Sequence, residues 1–178
     1  MGAQVTLLDS SVDALRAADL ELGDRVQLRI ATAAHTRALC RNADLVIGAV
    51  LVPGAAAPRL LDEADVKAMR NGSVIVDVAI DQGGCFATSK ATTHADPVYI
   101  KHGVIHYCVA NIPGAVARTA TEALTNATLP HVLALANLGI DKALQANPHL
   151  VAGLNVKEGK LYCRPVADTF RLGHKLAS

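Results

Sequence analysis

The sequence predicts an α/β fold organised as a doubly wound parallel sheet, and three observations carry that expectation. Up to about residue 114, short apolar runs alternate with stretches of helical spacing, the order that a parallel sheet with crossover helices requires. The runs are rich in Val, Ile and Leu with few polar residues, as in strands covered on both faces. The chain of 178 residues is 51% apolar with only 3% aromatics and no Trp, so its core must be built from aliphatic side chains, which suits close helix–sheet packing.

In chain order, Gln4 to Asp9 reads as a short buried strand. Ser10 or Ser11 can cap the helix that follows, Asp13 stands in its first turn, and Gly23 can end it. Val12, Leu15 and Leu22 give it an apolar stripe. Val26 to Ala31 alternates into a second strand, and Thr32 to Ala43 reads as a short helix or turn. A third strand runs from Leu45 to about Val50 before Pro53-Gly54 breaks the chain. Ala64 to Arg70 is helical after a cap at Asp62. Residues 86–103 carry Thr, Ser, Asp, Pro and Gly and read as an excursion; Ile105 to Ala110 returns as a strand. From Thr119 to Leu138 the apolar positions fall at helical spacing, with a kink or break expected near Thr128 because Pro130 lies inside. Thr125 and Asn126 on this helix can line a site or simply satisfy local backbone. A short helix over Asp141 to Ala146, a Lys/Glu-Gly turn between short strands and a frayed end complete the chain.

The stretch around which the rest is organised is Val74–Cys85, VIVDVAIDQGGC. Its strand, read as Val74 to Ile80, leads to Asp81-Gln82-Gly83-Gly84. Ligands of open α/β sheets bind beyond the carboxyl ends of the strands. Asp81 is therefore either a carboxylate that exchanges protons with a substrate or only the opener of a turn. The two glycines would let the backbone approach a flat ligand. Asp9 also has two readings. An acid that closes a strand just before a helix fits the second strand of a dinucleotide fold, where it takes the adenosine ribose and favours NAD over NADP; it also fits a simple helix cap. On the first reading the opening strand and glycine-rich loop of that fold are lacking, since the chain starts directly on VTLLD.

Other classes are disfavoured. A formal net charge of +1 without a basic cluster argues against nucleic-acid binding. Cys40, Cys85, Cys108 and Cys163 form no CxxC pair and no signal peptide is visible, so reduced thiols in the cytoplasm are expected. His102 and His106 are four apart, but Gly103 between them points to a loop entering a strand rather than a metal-binding helix. No apolar run reaches the ~18–20 residues needed to span a membrane.

Four stretches carry a family resemblance: ADLVIGAVLVPGAAAP, VIVDVAIDQGGCF, YCVANIPGAVARTATEALTNATLPHVLALA and NPHLVAGLNVKEGKL. Together they resemble alanine dehydrogenase, over roughly Gly2 to Asp168; the related nicotinamide nucleotide transhydrogenase is less like IDQGGC. The resemblance implies a Rossmann-like domain that lacks its first strand and glycine-rich loop, over residues 1–117. A helical segment, 118–178, would pack on a substrate domain that these residues do not contain. The implied reaction is NAD-dependent interconversion of L-alanine with pyruvate and ammonium. Asp9 then matches the ribose-binding acid. Val50 and Leu51 lie along the cofactor, and Val78, Ala79, Ile80 and Asp81 lie beside the nicotinamide, with Asp81 the acid–base group. Val109 and Ile112 close over the ring, and Ala31 stands where a serine is often found. The family's N-terminal domain supplies the Arg and Lys for the substrate carboxylate and a His partner. The resemblance therefore implies a fragment, inactive alone, working in a homo-oligomer (a hexamer in the family) or with a separately encoded N-terminal half. A non-catalytic nucleotide-binding module and a transhydrogenase-like component are the other readings.

Overall fold

The computed structural model describes residues 2–170, which fall into two compact units. One holds the chain up to Val50 together with Ala57–Ala110; the other holds Leu51–Ala56 and the chain from Asn111 onward.

The first unit runs β1 (Val5–Asp9), α1 (Val12–Leu22), β2 (Val26–Ile30), α2 (Ala33–Asn42), β3 (Leu45–Gly48), α3 (Glu63–Lys67), β4 (Val74–Asp77), β5 (Val98–Lys101) and β6 (Val104–Tyr107). The fold is α/β with parallel strands, as expected. β1 pairs with β2 in parallel. A second sheet has the order β3-β4-β6-β5, with β3, β4 and β6 parallel and β5 antiparallel at its edge. Among the described residues no ladder joins β1 to β3.

The helices start where their caps dictate. Ser11 accepts from the Ala14 amide, Thr32 from the His35 amide, and Asp62 closes a capping box with Asp65. In the first turn of α3, Lys101 and His102 both bond Glu63 and hold its carboxyl down at about 2, tying the helix start to the β5–β6 turn.

The four-stranded sheet has two unlike faces, because alternate residues point to opposite sides. Ile75, Asp77, Val104 and His106 point to the covered side and are buried. They face a core of Leu61, Val66, Met69 and Phe86, in which Phe86 is the largest buried side chain. The other side carries Leu45, Ile47, Val98 and Ile100, all exposed. The expectation of a strand covered on both faces is therefore corrected: β4 is covered on one. The strand also stops at Asp77 rather than Ile80, because Asp77 caps a 3₁₀ turn over Val78–Gln82. The 86–103 excursion holds a strand that composition concealed, since VYIK alternates and pairs back on β6.

Gly48, the last residue of β3, fixes how closely that strand approaches the chain beyond β4. A Cβ there would lie 2.3 Å from Cys85 Sγ and 2.6 Å from the Phe86 ring, both fully buried. Overpacking of this kind costs about 1–3 kcal/mol, and the severity of the overlap puts Gly48→Ala at the upper end. Thermal denaturation should show the loss, and an unchanged melting temperature would contradict this packing.

The second unit contains α4 (Ala117–Leu138), α5 (Ile140–Ala146), α6 (Pro148–Ala152), a hairpin of β7 (Val156–Lys157) and β8 (Lys160–Leu161), and α7 (Arg164–Thr169). The expected break near Thr128 is absent; α4 runs through Pro130. The proline removes a single backbone donor, and on an exposed helix water can replace it. No residue of α4 is buried, and Leu124, Leu129, Val132 and Leu138 are exposed. Gly139 ends the helix as read, Lys157 pairs with Asp141, and Glu158-Gly159 turns the hairpin. α6 and α7 were not foreseen; each starts with a proline in its first turn, which the helix tolerates. The expected frayed end lies mostly outside the described residues. No described helix is long and apolar enough to cross a membrane.

Candidate active site

The turn after β4 is braced from three directions. From below, Asp77 is fully buried, and its carboxylate accepts from the Ala79 amide at 3.1 Å and the Cys85 amide at 2.9 Å. The Ser89 hydroxyl and the Cys85 thiol also donate to it. Burial, then the Asp77 charge, pushes the Cys85 thiol up to about 12, so it remains a thiol. From one side, the segment Ala57–Leu61 is laced to the turn by backbone bonds: Ala57 to the Gln82 carbonyl, Leu60 to that of Cys85, and Ala87 to that of Leu61. Arg59 adds a bond to the Phe86 carbonyl. From the other side comes the close approach of Gly48.

Both glycines shape this turn. Gly84 has φ +74° and is buried, and a Cβ on it would lie 2.8 Å from Asp77 Oδ2. Its missing side chain lets the backbone reach Asp77. Gly83, at φ +91°, closes the 3₁₀ turn in the left-handed region.

What the turn presents outward is Val78 and Asp81, both exposed, while Ala79 and Ile80 point inward and are buried. Among the described residues the Asp81 carboxylate has no hydrogen-bond or ion-pair partner. Beside it, Gln82 Oε1 is buried without a hydrogen-bond partner among those residues, an acceptor waiting for a donor. The structure thus sets one free carboxylate on a rigid loop at the end of a parallel strand.

The other residues singled out by sequence lie as follows. Asp9 ends β1 and accepts from the Ser11 amide at 2.7 Å through Oδ1, while Ser11 rather than Asp9 caps α1. Oδ2 of Asp9 has no partner among the described residues. Val50 follows β3 and is half-buried. Val109 follows β6 and is completely buried, bridged to Thr92. Leu51 and Ile112 belong to the second unit. A hollow of about 330 Å³ between α2 and α3, lined by Arg37, Arg41 and Asp65 among others, contains none of these residues.

Asp77, Ser89 and Gln82 escaped the sequence reading. The signal for Asp77 was present: a lone acid at the end of an aliphatic strand has to be satisfied, and a Gly-Gly pair six and seven residues on lets the backbone turn back to do so.

His102 and His106 have separate surroundings. His102 is in the β5–β6 turn on Glu63; His106 is buried, stacked on Tyr99 with ring centroids 4.9 Å apart. His106 Nδ1 lies 3.0 Å from the Val104 carbonyl, which can only accept, so Nδ1 carries the proton and Nε2 accepts from the Thr88 hydroxyl at 2.7 Å. Burial lowers its pKa below 6.5. The unfolded chain therefore takes up this proton before the folded chain does. Stability should be full above pH 6.5 and fall as pH drops below it, by at most about 1.4 kcal/mol per pH unit from this group. Denaturant midpoints between pH 7.5 and 5.5 test this; His106→Gln should flatten the slope, and an unchanged slope would count against the assignment.

The family model for the alanine dehydrogenase/PNT C-terminal domain matches residues 1–164. The chain belongs to that family. Among curated members, the alanine dehydrogenase of Halomonas elongata is 57% identical over 172 residues, 97% of this chain and 46% of its own length. Alanine dehydrogenase 2 of Staphylococcus aureus strain USA300 is 51% identical over 98% of this chain and 47% of its own length. A solved L-alanine dehydrogenase superposes with a TM-score of 0.81 at 48% identity, covering 96% of this chain and 47% of that one. The transhydrogenase from Sinorhizobium meliloti superposes with a TM-score of 0.58 at 28% identity, over 67% of this chain and 35% of its own. The chain thus spans about half the length of the curated relatives it matches. The resemblance read from the four sequence stretches is borne out, and alanine dehydrogenases match more closely than that transhydrogenase.

Proposed function

We propose that these residues form the cofactor half of an NAD-dependent alanine dehydrogenase, with Asp81 as its acid–base group. The observation that carries the reading is the 57% identity to an alanine dehydrogenase across nearly the whole chain. The exposed, unpartnered carboxylate on a braced turn supports the role of Asp81, since a proton shuttle must be open to substrate yet held still.

Several features of the chain fit NAD. Asp9 retains one free carboxylate oxygen for a ribose hydroxyl. Val78 offers an apolar surface for a flat ring, and Gln82 Oε1 is an unpaired acceptor for an amide donor. Val50, half-buried after β3, would line the rest, and Ala79 and Ile80 would support Val78 from beneath. NAD bound here would supply the acceptor for the hydride of alanine Cα. Asp81 would take one proton from the water that adds to the resulting iminium carbon, giving a neutral carbinolamine, and return it to the nitrogen; the remaining hydroxyl proton would pass to Asp81 as ammonia leaves, giving pyruvate.

The segment from 118 onward, dominated by α4 with its uncovered leucines, would pack on the half of the relatives that this chain does not span. We place the complete assembly in the cytoplasm as a homo-oligomer, in keeping with four unpaired cysteines. The test is a chimera that joins these residues to the N-terminal half of the Halomonas elongata enzyme. It should form NADH from NAD only when L-alanine is added. A folded chimera without that activity would end the proposal.

A further inference from the structure

We infer that Asp77 is a positioning residue, which acts on the reaction by holding Asp81 where it can transfer a proton. This deepens the proposed function and rests on it. Four donors converge on one buried carboxylate. Two of them, the amides of Ala79 and Cys85, belong to the chain on either side of Asp81. Asp77 therefore ties both ends of the loop that carries Asp81 to the end of β4, the middle strand of the three parallel ones. The other two, the Ser89 hydroxyl and the Cys85 thiol, fix the carboxylate itself. Gly84 is shaped to this group, with no room for a Cβ beside Oδ2.

A purely structural carboxylate would need no such placement. A buried carboxylate is costly unless all its lone pairs are used, and an aliphatic residue would serve the core as well. What Asp77 supplies beyond packing is a fixed distance between the strand and a loop whose outward group is Asp81. Small displacements matter here, since a misplacement of about 1 Å in a catalytic group can cost on the order of 100-fold in rate. Asp77→Asn keeps the shape but turns one acceptor into a donor that faces an amide N–H. The loop then has to shift. Ser89→Ala removes one donor and leaves the charge, so its effect is weaker and in the same direction.

The experiment is a double-mutant cycle in the alanine dehydrogenase chimera. Asp77→Asn should lower kcat by about 100-fold, a larger effect than any loss of NAD affinity. Amide exchange in residues 78–85 should quicken. The combination Asp77→Asn with Asp81→Asn should be no slower than Asp81→Asn alone, because Asp77 works through Asp81. Should Asp77→Asn fail to fold, Ser89→Ala with and without Asp81→Asn completes the same cycle, with a several-fold loss that disappears in the Asp81→Asn background. A folded Asp77→Asn protein with wild-type kcat overturns the inference, as does a double variant in which the two losses multiply. If Asp81→Asn is itself neutral, the acid–base reading falls and this inference with it. A severe Asp81→Asn effect beside a neutral Asp77→Asn, or a neutral Ser89→Ala where that variant stands in, removes this inference alone.

Discussion

Asp81→Asn in the chimera is expected to lower kcat for alanine oxidation by about 10²–10⁴-fold, the range for loss of a general acid–base group. NAD affinity should be nearly unchanged. The amide matches the carboxylate in shape and cannot take a proton from the attacking water. The loop itself should not respond, because its bracing runs through Asp77, the Ala57–Leu61 segment and Gly48, none of which hydrogen-bonds the Asp81 side chain. The variant should therefore melt with its parent, and the loss should appear in kcat rather than in NAD binding. Steady-state kinetics and calorimetry on the same preparation separate the two. Turnover like that of the parent would reduce Asp81 to a turn former.

A polypeptide of these 178 residues, made by itself, should show no measurable alanine-dependent NADH formation and should bind NAD with a dissociation constant in the millimolar range or weaker. It spans less than half the length of the alanine dehydrogenases it matches. Substrate fixation by the remainder would supply on the order of 7–11 kcal/mol of barrier lowering. For the cofactor, the residues contain no GxGxxG turn to hold a pyrophosphate on a helix N-terminus. A single hydrogen bond to Asp9 contributes only about 1.5–3 kcal/mol. Adding the N-terminal half as a second polypeptide should restore activity if the two dock through α4. Micromolar NAD affinity, or turnover above a blank, from the 178 residues alone would contradict this.

The sequence made the fold legible wherever local chemistry and tertiary packing agree. Ser11, Thr32 and Asp62 stand where the helices begin, and Gly23 and Gly139 where two of them end. It misled where one residue type was allowed to decide. Pro130 suggested a break, yet the flanking residues keep α4 helical at the cost of one bond. Thr, Ser, Asp and Pro in the 86–103 segment masked the alternation of VYIK. The site was half legible. Asp81 stands out as the last polar residue of an aliphatic run, but the residues that hold it act through contacts distant in sequence. Ser89 is twelve residues from Asp77, and the backbone bonds that join the Ala57–Leu61 segment to the chain around the loop each span 25 or 26 residues. Periodicity and propensity do not encode such contacts.

The alternation of β4 gives Asp77 one more consequence. Val74, Ile75 and Val76 are all aliphatic and β-branched, so they are indifferent to which of them faces the core. A slip of one residue would exchange one aliphatic for another and lose little. Asp77 does not tolerate the exchange. In one pairing its charge meets four donors; one residue out of step it meets none of them, and Val78 turns inward in its place. The carboxylate is thus the mark by which the chain tells the right alignment from its nearest competitor, and an aliphatic substitute that stabilised the core would erase it.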